Sequence, residues 1–172
     1  MECVEPDPLQ GKLIAERGLR HETSLEKYAP ASFDAAYSLN VLEHIHADVH
    51  ALATLRSRLR PDGRLFVYVP ALPMLFSAMD RKVGHIRRYT AATLSTALRA
   101  AGFKVELCRY ADCLGIPATL LYKVLGDRGG GVNKRALIFY DRVAFPLSRL
   151  LDAVMSHVAG KNVWALARNA RA

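Results

Sequence analysis

The chain has 172 residues, of which 51% are hydrophobic and 23% charged; this is enough apolar material for one buried core and excludes wholesale disorder. Lys and Arg outnumber Asp and Glu by 24 to 16, a formal net charge of +8, which favours anionic partners without choosing among phosphate groups, nucleic acid and an acidic membrane surface. No apolar run approaches the ~18 residues needed to span a bilayer, and Met1 to Pro8 is not a basic segment followed by an apolar one, so no secretory leader is expected.

In chain order, Ala35 to Leu39 is a short apolar stretch that predicts a buried strand. Asp48 is placed to cap a helix, with Val49, Leu52, Leu55 and Leu59 spaced along one face. Pro61-Asp62-Gly63 predicts a turn, and Leu65 to Val69 predicts a strand buried on both faces. Thr90 caps a second helix whose Leu94, Ala97, Leu98 and Ala101 form a stripe, and Gly102 ends it. Phe103 to Leu107 alternates like a further strand. Strand, helix, strand, helix, strand is the signature of an α/β domain with a parallel sheet. Beyond it come an apolar stretch from Leu114 to Leu125 and a Gly-rich break from Gly126 to Gly131. An amphipathic helix is expected from Lys134 to Val158, interrupted at Pro146, and then a closing strand from Asn162 to Ala167.

Cys3, Cys108 and Cys113 form neither a CxxC pair nor an even set, which predicts buried reduced thiols. The stretch Asn40 to His50 concentrates Glu43, His44, His46, Asp48 and His50. A zinc site needs three or four converging ligands, and His46 and His50 are four residues apart. The helix is expected to begin near Asp48, however, which leaves His46 outside it, and no second cluster supplies further ligands. No metal site is expected here.

Ser32-Phe33-Asp34, then Asn40 to Ile45, then Leu59-Arg60-Pro61-Asp62-Gly63-Arg64-Leu65 together resemble the class I S-adenosylmethionine-dependent methyltransferases. The run Asp80 to Tyr89 resembles the signature of one bacterial subgroup of these enzymes, and Ala100 to Phe103 sits where the family's fifth helix meets its sixth strand. The likeness extends over most of Phe33 to Phe103. It implies a Rossmann-like, doubly wound, mostly parallel α/β sheet. It also implies one methyltransferase-like domain over residues 1–172, with residues 114–160 as an amphipathic helical insertion or lid. Cys3 to Asp7 resembles the family's second strand, so the first strand, the following helix and the main Gly-rich cofactor loop are expected to be missing. The run around Gly129 follows no strand and reads as a linker.

The resemblance also implies site residues, with S-adenosylmethionine as cofactor. Glu5 would hold the ribose hydroxyls, Ser24 and Leu25 would touch the adenine, Leu39 would touch the methionine portion, and Asn40 would face the transferring methyl. Near the same edge, Asp80, His85 and Arg87 form the densest polar cluster with Arg88 and Tyr89. Arg87 and Arg88 would grip an anionic substrate and His85 would accept its proton; a surface loop with arginines bridging to Asp80 is the alternative. The expected acceptor is a small or lipid-linked molecule, and no nucleic-acid partner is expected because the basic residues are scattered. The tail interleaves Lys123, Arg128, Lys134, Arg135, Arg142 and Arg149 with Tyr122, Phe139, Tyr140 and Phe145. That pattern suits peripheral contact with an anionic membrane, a lid over a lipid-like substrate, or a helix packed on the sheet with its basic face in water. A cytoplasmic location is expected, peripheral at the inner membrane surface if the tail binds lipid. A non-catalytic remnant that binds a membrane or protein partner through this tail is the competing class.

Overall fold

The computed structural model describes residues 1–125 and 134–170. The run Gly126 to Gly131, expected as a linker, lies outside them, as does Arg128. From the amino end, the elements are β1 (Glu2–Val4), α1 (Pro8–Glu16), β2 (Arg20–Glu22), β3 (Phe33–Leu39), α2 (Asp48–Arg58) and β4 (Leu59–Pro70). They continue with α3 (Ala78–Lys82), α4 (Ala91–Ala100), β5 (Lys104–Ala111), α5 (Gly115–Leu125), α6 (Lys134–Phe139), α7 (Phe145–Met155) and β6 (Asn162–Arg168).

The strands form two sheets. β1 and β2 pair in parallel, and the second sheet has the order β3-β4-β6-β5. β3 and β4 are parallel, while β6 lies antiparallel between β4 and β5. Among the described residues no strand pairing joins β1 or β2 to the larger sheet. β6 is fixed by pairs such as Val67 with Ala165 on one side and Cys108 with Ala165 on the other. Leu65, Val67, Val69, Val163, Ala165 and Ala167 share one sheet face and are fully buried. Leu52 of α2 and Leu94 and Leu98 of α4 cover that face, at 1% exposure or less. The stripe expected on α4 is therefore the core stripe. In α2 the stripe is narrower, because Val49 is exposed.

Thr90 caps α4 as expected, its Oγ1 accepting from the Thr93 N–H. Gly102, at φ 87°, occupies the left-handed position that ends the helix. Three local expectations are corrected. Asp48 is the first residue of α2 and not its cap; Ala47 holds the cap position, and the Asp48 carboxylate is drawn to Arg87 and Tyr89 instead. Pro61-Asp62-Gly63 does not break the chain into a turn. It bulges within β4, with Phe33 opposite Leu59 but Ala35 opposite Arg64. The bulge is held because the Asp62 N–H donates to the Asn169 carbonyl and the Asn169 N–H donates to that of Gly63. Pro146 does not interrupt the helix either. It stands in the first turn of α7, where its missing N–H is harmless, and a π-helical turn over Tyr140–Ala144 joins α6 to α7.

Helices α5 to α7 lie between β5 and β6 in sequence. Phe145, Arg149 and Asp152 of α7, with Phe66, Tyr68 and Trp164, line an open cavity of about 340 Å³. These sheet residues point away from α2 and α4. The three cysteines are free thiols and half-buried.

Candidate functional site

β3 ends at the carboxyl edge of the sheet, the side on which open α/β sheets bind ligands. Its last residue, Leu39, is 49% exposed. Asn40 follows with φ 52°, a left-handed conformation that asparagine tolerates better than most residues, and its N–H donates to the Tyr68 carbonyl of β4. This anchors the turn Leu42–His44, a short 3-10 helix in which Leu42 and Glu43 are buried.

The chain returns to this edge after α3. Asp80, 2% exposed, is the hub of the loop that follows. It accepts from the Ser77 N–H at 2.8 Å and Ser77 Oγ at 2.9 Å, and from Arg88 Nε at 2.9 Å and its terminal nitrogen at 3.1 Å. The imidazole of His85 meets its other side, with Nδ1 2.9 Å from Asp80 Oδ1. Burial opposes ionisation of Asp80. The hydrogen bonds from Arg88 and His85 outweigh it and hold the carboxyl below the ordinary aspartate value. An ionised carboxylate only accepts, so His85 carries a proton on Nδ1, which in the neutral tautomer leaves the lone pair at Nε2.

That lone pair faces Glu43. The Glu43 side chain is fully buried, neither oxygen has a hydrogen-bond partner, and His85 Nε2 stands 3.7 Å from Oε1. Burial pushes its carboxyl above the usual glutamate range. His44 completes the group: its ring lies edge-on to that of His85 at 4.8 Å between centroids, and its Nδ1 is 3.1 Å from the Gly84 carbonyl. A carbonyl only accepts, so His44 too donates from Nδ1, which in the neutral tautomer leaves the lone pair at Nε2. A second network lies beside this one. Arg87 donates to Asp48 and to the His46 carbonyl, both at 2.9 Å, and the Tyr89 hydroxyl donates to Asp48 at 2.7 Å. Burial, then that hydrogen bond, raises the Tyr89 hydroxyl far above its ordinary value.

The structure thus brings His85 and Asp80 together with Glu43 and His44. It leaves His46 and His50 exposed and apart from them. Arg87 and Arg88 are engaged by Asp48 and Asp80. Glu5 follows β1, its Oε1 accepting from the Asp7 N–H. Ser24 and Leu25 lie just after β2, where a 3-10 turn begins. These three stand on the edge of the smaller sheet, and no hydrogen bond or ion pair among the described residues joins them to Asn40. The contact sequence reasoning missed is that of Glu43 with His85. The only signal for it was the pairing of an acid-histidine turn with a second histidine just after a glycine.

A family model described as a methyltransferase domain matches residues 3–107. No curated protein matches the chain in sequence. Among solved structures, a Haloferax volcanii methyltransferase in complex with the Trm112 methyltransferase activator is similar at a TM-score of 0.65 and 11% identity, over 99% of this chain and 72% of that one. An S-adenosylmethionine-dependent methyltransferase from Mesorhizobium loti is similar at 0.62 and 15% identity, over 97% and 79%. The 1,6-didemethyltoxoflavin-N1-methyltransferase of Burkholderia thailandensis, solved with 1,6-didemethyltoxoflavin and S-adenosylhomocysteine, is similar at 0.55 and 20% identity, over 99% and 61%.

Proposed function

The chain belongs to the methyltransferase domain family and has the Rossmann-like class I fold, and on that premise we propose that it transfers a methyl group from S-adenosylmethionine to a small or lipid-linked acceptor. The observation that carries this reading is the carboxyl end of β3, where an exposed Leu39 meets a left-handed Asn40. An apolar side chain and an amide at that edge suit the methionine portion of the donor and the neighbourhood of its methyl. Glu5, with one oxygen on the Asp7 N–H and the other left to accept, suits the ribose hydroxyls, and Ser24 and Leu25 suit the adenine.

When bound, S-adenosylmethionine supplies an already electrophilic methyl, so alignment and exclusion of water fall to the protein. Asp80 positions His85, whose Nε2 is the ring nitrogen left for chemistry at this edge. Arg87 positions the start of α2 through Asp48. Titration calorimetry with S-adenosylmethionine and S-adenosylhomocysteine tests the reading. Binding of both at one site, weakened in Leu39→Asp, is expected. Absence of heat from a chain with native circular dichroism overturns it.

A second reading, contact with an anionic lipid surface, is favoured by the outer side of α7. Leu150 is 74% exposed and Val154 77%, with Leu147 and, just past the helix, Val158 also open to solvent, and Arg142 exposed in the turn before it. This is the reverse of a helix that turns only its basic face to water. No helix among the described residues is long and apolar enough to cross a membrane, so contact of this kind would be interfacial. Sedimentation with phosphatidylglycerol vesicles, lost in the Leu150→Glu/Val154→Glu double variant, is the expected outcome; equal recovery of both proteins in the supernatant overturns it.

A further inference from the structure

We propose that Glu43, His44 and His85 form a binding site for a single divalent transition-metal ion, of the zinc class. Glu43 Oε, His44 Nε2 and His85 Nε2 are the ligands. One donor atom from each of these residues lies within 4.8 Å of the others. On a tetrahedral ion with bonds of about 2.0–2.1 Å, ligand atoms stand about 3.3 Å apart. The 3.7 Å between His85 Nε2 and Glu43 Oε1 needs only a few tenths of an ångström of closure to reach that separation.

Three independent features point to a cation. The first is Glu43 itself, a fully buried carboxylate with no hydrogen-bond partner on either oxygen. Such a group is costly unless it is neutralised, and Arg88 of the neighbouring loop is already matched by Asp80. The second is the state of the two imidazoles. Metal-ligating histidines ordinarily donate the other ring N–H to a carboxylate or backbone carbonyl, which fixes the tautomer. His85 does so to Asp80 and His44 to the Gly84 carbonyl, which leaves Nε2 as the nitrogen each ring can offer to an ion. The third is access, since the exposed His44 opens a group that includes the buried Glu43 to solvent, giving an ion a way in.

Two nitrogens and one oxygen are a borderline ligand set that suits zinc, and cobalt as its spectroscopic substitute, better than magnesium or calcium. Three protein ligands leave a coordination position open. At the carboxyl edge of the sheet that position accepts an oxygen ligand and lowers the pKa of a bound hydroxyl or water. Ion binding is read without the methyl donor, so the inference stands or falls separately from the methyl-transfer reading.

The test uses the full chain after chelator treatment, titrated with Zn²⁺ by calorimetry and with Co²⁺ by visible absorption. One equivalent of each is expected, with the intense bands of a tetrahedral cobalt site, and Zn²⁺ is expected to raise the melting temperature. Asp80→Asn should weaken binding by about 10–100-fold, as loss of an outer partner does. Glu43→Gln, His44→Ala and His85→Ala should weaken it further, while His46→Ala and His50→Ala leave it unchanged. His44 is exposed, so its variant reports on binding even where a buried substitution unfolds the chain. The proposal is overturned if the wild-type chain takes up no stoichiometric ion, or if His44→Ala and Glu43→Gln bind as the wild type does.

Discussion

Replacing Asp80 by alanine is the sharpest test of how the loop after α3 is held. The substitution leaves the Arg88 guanidinium, whose side chain is 7% exposed, with the Ala71 carbonyl as its remaining acceptor. It also removes the acceptor used by the Ser77 N–H, Ser77 Oγ and His85 Nδ1. Breaking a buried ion pair by deleting one partner costs about 3–5 kcal/mol, because an uncompensated charge stays behind. A chain of this length loses roughly 2–4 °C of melting temperature per kcal/mol, so a fall of about 6–20 °C is expected. The same loss should appear as a lower denaturant midpoint at unchanged slope. Arg88→Met in the Asp80→Ala background should then restore part of the loss, with a coupling of roughly 2 kcal/mol or more across the double-mutant cycle. If Asp80→Ala melts within about 2 °C of the wild type, or if the coupling is near zero, Asp80 and Arg88 do not hold this loop together.

The remaining expectations concern single positions. Because the Asp80 pKa is depressed in the fold, its contribution is complete above the unfolded aspartate value of about 3.9 and is lost as pH falls through the lower folded value. Denaturant midpoints between pH 2 and 7 should show that acid limb in the wild type and a weaker one in Asp80→Asn. Glu43 has the opposite sign: its raised pKa adds a penalty that grows as pH climbs above about 4.3, so metal-free Glu43→Gln should gain stability on the wild type towards neutral pH. Asn40→Val forces a β-branched residue to φ 52° at a cost of about 1–3 kcal/mol, read by thermal melting. Asn40→Gly relaxes the backbone, so it should melt near the wild type while binding S-adenosylmethionine more weakly. A Cβ at Gly160 would collide with the Ala111 backbone, its carbonyl oxygen first, so Gly160→Ala should destabilise by about 1–3 kcal/mol in the same assay.

Local chemistry made much of the larger sheet legible. Thr90 and Gly102 bracket α4 because capping and left-handed termination depend on a few adjacent residues. The runs at residues 35–39 and 65–69 are strands because an apolar run bounded by turn residues has few other uses. What local chemistry could not show was set by distant partners. Asp48 looks like a cap until Arg87 and Tyr89 approach it from 39 and 41 residues away. Pro61 to Gly63 look like a turn until Asn169 bonds to both sides of them. Likewise, His44 and His46 are equivalent in the sequence, and only the path of residues 83–86 brings His85 to the first and not the second.

The position of β6 governs the order in which the protein can be built. β5 pairs with β6 and with no other strand among the described residues, and β4 gains its second neighbour only from β6. The pairing of Arg64 with Arg168 closes a long loop, so its entropic cost precedes any reward from the sheet. A chain emerging from the ribosome therefore carries β4 and β5 as two open strand edges until residues 162–168 arrive. During that interval the fold is most exposed to pairing with a foreign strand, and a chaperone that shields β-edges would act on it there.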